Sequence, residues 1–129
     1  MRPTWETAGN RPEYDGVLEL GFLPKEEYER VLATDVILSE VFAASANNVV
    51  IDCMVRNTPL VINRHPAVFE YLGSDYPLYF ETITEVPRLL SPERVVAAHR
   101  YLAARDKSEL RGEFFTSAVE DALKEILAR

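Results

Sequence analysis

The sequence predicts an α/β fold: a Rossmann-like parallel sheet of about four strands flanked by helices, with a helical C-terminus. Three observations predict it. Short runs rich in Val, Ile and Leu alternate with stretches of helical periodicity, in the order β-α-β-α-β-α-β. Within Ser45–Gly73, two helix patterns flank Leu60-Val61-Ile62, an apolar run typical of a strand covered on both faces. The last third of the chain carries helix start signals and helical spacing only. Alternation of this kind implies right-handed crossovers between parallel strands, with ligands held at the strands' carboxyl ends.

The elements follow in order. Residues 1–15 are polar, hold Pro3, Gly9, Asn10 and Pro12, and show no periodicity, so they are expected to form an irregular arm. Residues 16–129 are expected to form one domain. Val17–Leu20 is a short strand candidate ending at Gly21-Phe22-Leu23. Pro24 starts a helix with Glu26 and Glu27 in its first turn, where the helix dipole favours negative charge. Val36–Val41 is the next strand. Ser45 is placed to cap the helix that follows, and Val49, Val50, Cys53 and Met54 give that helix its apolar face. Asn57 can end it in the left-handed conformation, and Pro59 prevents its continuation. Pro66 opens the next helix and Gly73 closes it. Tyr76–Phe80 contains a short edge-like strand, with Pro77 at its start. Glu81–Leu90 predicts a short helix broken or begun near Pro87. Ser91-Pro92-Glu93 is a cap, a first-position proline and a first-turn acid, and starts a helix to about Arg105. A last helix begins near Ser108. Its stripe from Leu110 through Phe115, Val119, Leu123 and Ile126 needs a surface to pack on, either the sheet or a partner.

Composition bounds what the chain can do. A length of 129 residues with 47% hydrophobic and 27% charged residues suits one globular domain. A net charge of −7 without a basic cluster argues against non-specific nucleic-acid binding, which rests on neutralising phosphates. A nucleotide held by backbone N–H groups remains compatible with it. The single Cys53 excludes an intramolecular disulfide and a multi-cysteine zinc site, and its place on an apolar face makes it a buried thiol rather than a nucleophile. No signal peptide or membrane-length apolar run is present, so a cytoplasmic location is the default.

Chemistry concentrates after the strands. The loop Ala43–Asn48 follows a strand and opens a helix, so its free N–H groups and the positive dipole end can meet a phosphate or sugar. The plainer reading, that Ser45 caps and the asparagines face water, is favoured by local sequence alone. Asp52 can accept two hydrogen bonds from a ribose, or simply face solvent. Arg64 and His65 follow the third strand run and can touch an anion, although a lone loop histidine is commonly an ordinary surface residue. His99 lies on a helix and is expected to be structural. Two separated histidines give no metal spacing. Nucleophile-elbow, P-loop and G-x-G-x-x-G patterns are absent.

The run from Leu20 to Phe80 resembles the C-terminal, donor-binding half of bacterial GT-B glycosyltransferases. The pieces SANN, RNTPL, NRHPAV and EYLG stand in that family's order and spacing, and the likeness extends from about Val17 to Phe115. The resemblance implies a nucleotide-diphosphate sugar of UDP or GDP type as donor substrate. It sets Gly21, Phe22 and Leu23 near the base, and Ser45, Ala46, Asn47 and Asn48 near the sugar and diphosphate. Asp52 takes the place of the ribose-binding second acid of the E-x7-E pattern. Arg64, placed after a strand and before a helix start, is a basic side chain that could touch the anionic diphosphate. No metal and no separate cofactor are implied, because helix N-termini and basic side chains carry that charge.

Three positions depart from the pattern. Ala44 stands where the first Glu contacts the sugar, Ala43 replaces an Asp, and Asp52 is one methylene shorter than Glu. These changes remove sugar contacts while leaving phosphate and ribose contacts possible. The full family sheet has the order 3-2-1-4-5-6, and this chain corresponds to its third strand onward, truncated on the N-terminal side. The expectation is therefore a nucleotide-sugar binding domain or subunit, incomplete as an enzyme alone. Its partner is either a complementary glycosyltransferase half or a second copy in a homo-oligomer. The alternative is a non-catalytic binding or oligomerisation module derived from such an enzyme. No catalytic residue is assigned.

Overall fold

The computed structural model describes residues 15–43 and 47–129. The expected arm therefore lies almost wholly outside the described residues, as do Ala44, Ser45 and Ala46. The elements are α1 (Lys25–Thr34), β1 (Ile37–Ser39), α2 (Asn48–Arg56), β2 (Leu60–Asn63), α3 (Pro66–Leu72) and β3 (Tyr79–Phe80). They are followed by α4 (Val86–Leu89), α5 (Pro92–Ala104) and α6 (Gly112–Leu127). Short 3-10 turns at Ile83–Glu85 and Ser108–Leu110 precede α4 and α6.

The sheet is parallel, with spatial order β1-β2-β3. Ile37 pairs with Leu60 and Ser39 with Ile62, while Ile62 pairs with Tyr79 and Asn63 with Phe80. The central strand β2 is buried on both faces, with Leu60, Val61 and Ile62 all at 0% exposure. That matches its continuous apolar run. Leu38 on β1 is 52% exposed, as befits an edge. Sequential strand order with right-handed crossovers brings α2 and α3 to the same face, and the two helices touch.

Among the described residues three strands form rather than four. Val17–Leu20 is irregular and exposed, with Leu18 at 81%. A four-residue apolar run becomes a strand only against a hydrogen-bonding neighbour, and none of the described strands pairs with it. The helix over Glu81–Leu90 divides into the 3-10 turn Ile83–Glu85 and the four-residue α4. There Thr82 and Glu85 form a reciprocal capping box. Glu85 accepts the N–H of Glu81 at 2.7 Å and of Thr82 at 2.8 Å, and these bonds, Thr82's first, hold its carboxyl below the usual range.

Other local signals act as the sequence implies. Asn57 adopts φ 56°, and the Thr58 N–H reaches back to the Cys53 carbonyl at 2.8 Å, closing α2. Pro66 is the first residue of α3. Gly73 ends α3 with φ 78°, where a Cβ would stand 2.8 Å from the Tyr101 hydroxyl. Both the positive φ and that close approach require glycine. Ser91 caps α5 by accepting the Arg94 N–H at 3.4 Å, and Ala98 and Leu102 bury that helix. His99 bonds through Nδ1 to the Asn57 carbonyl at 2.8 Å, tying α5 to the end of α2.

The sheet has one defect, and Tyr76 fills it. The N–H and carbonyl of Leu60 face the β3 side, but β3 begins too late to meet them. The Tyr76 hydroxyl accepts the Leu60 N–H at 2.8 Å and donates to the Leu60 carbonyl at 2.7 Å. One side chain thus replaces a strand residue. Tyr76→Phe leaves two buried backbone groups unpaired and is expected to lower stability by about 1–3 kcal/mol, read as a lower urea midpoint.

Burial also sets the alkaline limit. It pushes the Cys53 thiol up from 9.0 to about 12 and raises the Tyr76 hydroxyl above its ordinary 10.0. The unfolded chain releases these protons from pH 9 upward while the folded chain holds them. The contribution to stability is therefore complete below pH 9 and is lost as pH rises toward 12. A urea midpoint that falls between about pH 8 and pH 10.5, with a shallower fall in Cys53→Ala, checks this.

Candidate functional site

Helix direction defines one edge of the molecule as the candidate site. Strands β1 and β2 end at Ser39 and Asn63, and α2 and α3 start just beyond them, at Asn48 and Pro66. Contacts between α1 and α2 rise together along both helices. The Tyr28 hydroxyl donates to Asp52 at 3.1 Å, and Arg56 pairs with Glu29 at 3.3 Å. Thr58, just past α2, donates through its hydroxyl to the Leu32 carbonyl. The two helices therefore run parallel, and the start of α1 lies at the same edge as the start of α2. Asn47, Asn48 and Arg64 consequently belong to the carboxyl edge of the sheet, and Gly21, Phe22 and Leu23 precede the helix start that lies on that side.

Asn47, rather than Ser45, caps α2. Its Oδ1 accepts the N–H of Val49 at 3.0 Å and of Val50 at 3.3 Å. The helix begins one residue after Asn47, so Ser45 stands too early in the chain to serve. The cap occupies two N–H groups that an anion would otherwise meet. Asn48 is exposed. Ser45 and Ala46 lie outside the described residues.

Three further side chains shape the edge. Asn63, whose role no local pattern marks, holds the loop after β1: its Oδ1 accepts the Val41 N–H and its Nδ2 donates to the Val41 carbonyl, both at 2.7 Å. In the sequence it is only the asparagine that ends an otherwise apolar strand run. His65 caps α3, its Nδ1 accepting the Ala67 N–H at 3.2 Å. This role fixes that nitrogen as an acceptor and turns it inward to its own helix. Arg64 pairs with Glu81 at 3.3 Å and lies 5.5 Å from the centre of the Tyr79 ring. It is half-exposed, so a ligand can compete for it.

Asp52 is set back from the edge. It lies one helical turn beyond Asn48, which is about 6 Å along the axis. It faces α1, taking the Tyr28 hydroxyl and lying 3.6 Å from the Arg56 guanidinium. Burial first, and then the bond to Asp52, raise the Tyr28 hydroxyl above its ordinary value. Gly21 has φ 61° and presents Phe22 to solvent at 99% exposure.

A cleft of about 220 Å³ lies elsewhere, lined by Met54, Glu70, Tyr71, Arg105 and Leu110 among others. Its helical residues come from the later turns of α2 and α3, so it sits toward the amino end of the strands, away from the site. Among the described residues no cluster of three or more His, Cys, Asp or Glu side chains could hold a metal ion. No described helix is long and apolar enough to cross a membrane.

Comparison with known proteins finds no matching family model, no similar curated protein and no similar solved structure.

The Asn63 clamp predicts a graded outcome. Asn63→Ala is expected to cost about 1–3 kcal/mol and to abolish protection of the Val41 amide in hydrogen exchange. Asn63→Asp keeps the acceptor and should retain most of that amide protection while losing the bond to the Val41 carbonyl.

Proposed function

We propose that this chain is a glycosyltransferase-like domain or subunit that binds a nucleotide-diphosphate sugar at the carboxyl edge of its sheet. Transfer of the sugar requires a complementary half. The observation that carries this reading is the run of SANN, RNTPL, NRHPAV and EYLG at family spacing. The parallel sheet of order β1-β2-β3 supports it, being compatible with the 4-5-6 end of the family's strand order.

Each residue has a chemical task in this reading. The loop Gly21–Leu23 offers backbone groups and an exposed ring to the base. Asn47 and Asn48, with Ser45 and Ala46 before them, meet the diphosphate at the start of α2. A phosphate oxygen and the Asn47 Oδ1 are both acceptors, so the phosphate can take over the N–H groups of Val49 and Val50. Arg64 exchanges Glu81 for phosphate charge. Asp52 accepts from the ribose hydroxyls once it gives up the Tyr28 hydroxyl. The sugar-contacting acid and any catalytic base come from outside this set, because Ala43 and Ala44 carry no acid.

A second reading rests on those same alanines and on Asp52 being engaged by Tyr28 and Arg56. In it the chain is a non-catalytic binding or oligomerisation module of the same descent.

Titration with UDP, GDP and ADP separates the two. One saturable diphosphate, with amide shifts at Val49 and Val50, is expected. Asp52→Ala should weaken it about tenfold, equivalent to ~1.4 kcal/mol. Tyr28→Phe removes the internal donor that competes for Asp52 and should strengthen binding, so a loss confined to Asp52→Ala is not a loss of the helix contact. A folded chain that shifts with none of the three at about millimolar ligand overturns the nucleotide reading in favour of the second.

A further inference from the structure

We propose that α6 pairs antiparallel with α6 of a second copy of this chain. None of residues 111–129 is buried, and α6 touches the 3-10 turn before it. Yet it carries Phe115, Val119, Ala122 and Ile126 at spacings of four, three and four, the repeat of a helix–helix seam. Phe115 is 70% and Ile126 61% exposed. Leu123 widens the stripe on one flank. A helix of 16 residues is near the length at which an isolated helix is marginal in water, so its stability calls for a packed face.

Charge selects the occupant and its direction. Acids mark the start of the helix, with Glu109 just before it and Glu113 in its first turn. Bases mark its end, with Lys124 in the last turn and Arg129 just past it. Antiparallel packing sets Arg129 of one copy beside Glu113 of the other, and opposes the helix dipoles favourably. Parallel packing sets acid against acid. The seam then forms layers of Phe115 against Ile126 and Val119 against Ala122. An anionic membrane surface is a poor occupant, because Glu113, Glu120, Asp121 and Glu125 dominate the polar side. Two four-turn helices make a small interface beside the about 1,200–2,000 Å² of standard ones, so the dimer is expected to dissociate on dilution.

The pairing does not depend on the nucleotide reading. Failure of the titration leaves it intact, and a monomeric chain leaves the titration intact.

Sedimentation of the full chain tests it. The mass should rise to twice the chain mass by about 100 µM, and Ile126→Glu should return it to one chain, with a melting temperature equal to that of the wild-type chain at dilutions where the wild type is itself monomeric. Direction is read by disulfide trapping, which the single buried Cys53 does not disturb. An oxidised mixture of Phe115→Cys and Ile126→Cys chains should give the mixed dimer in excess over either variant alone. A wild-type chain that remains monomeric, a dimer that survives Ile126→Glu, or Phe115→Cys crosslinking to itself as readily as in the mixture overturns the proposal.

Discussion

The rest of the structure depends on the pairing of β2, and above all on the Tyr76 hydroxyl that completes it. A buried central strand must satisfy every backbone group it carries. β2 does so toward β1 along its length, but β3 supplies only two residues on the other side. Leu60 would be stranded at 0% exposure without the bidentate hydroxyl. The Tyr76 ring then packs edge-on to Tyr79 and Tyr101, with ring centres 5.4 and 5.5 Å apart. Tyr101 in turn donates to the Leu72 carbonyl at the end of α3. A line of tyrosines thus connects the sheet to α5 through polar tips and apolar bodies.

The same economy governs the carboxyl edge. Two helix starts meet there, and each is closed by its own side chain, Asn47 on α2 and His65 on α3. The loop after β1 is held by Asn63. These caps order the edge, which under the proposed nucleotide binding would lower its conformational cost. The Val49 and Val50 N–H groups already have an internal acceptor in Asn47, so the proposed diphosphate would have to displace it. Arg64 is held in the same way by Glu81, in a pair exposed enough to exchange.

Apolar surface is divided unevenly. β2, β3 and the facing sides of α2, α3 and α5 supply most of the core, while Val17, Leu18, Phe22 and Phe42 lie in the open. The whole of α6 is likewise uncovered.

The sequence by itself determined the parallel α/β order, because periodicity and punctuation are local. Leu60–Ile62 is apolar throughout, Asn57 and Gly73 can take positive φ, and Pro66 and Pro92 fix helix starts; each of these acts within a few residues. The candidate edge was legible for the same reason, since a strand followed by a helix start is visible in one dimension. Tertiary structure decided the rest. Whether Val17–Leu20 became a strand depended on a neighbour, which no local pattern supplies. The cap of α2 moved from Ser45 to Asn47 because the helix begins at Asn48, a boundary that spacing leaves open by a residue or two. The roles of Tyr76, Asn63 and Asp52 all arise from partners between 16 and 24 residues away in the chain. Such contacts exist only once the chain has closed on itself, which is why a tyrosine that completes a sheet looks, in the sequence, like any other aromatic residue beside a turn.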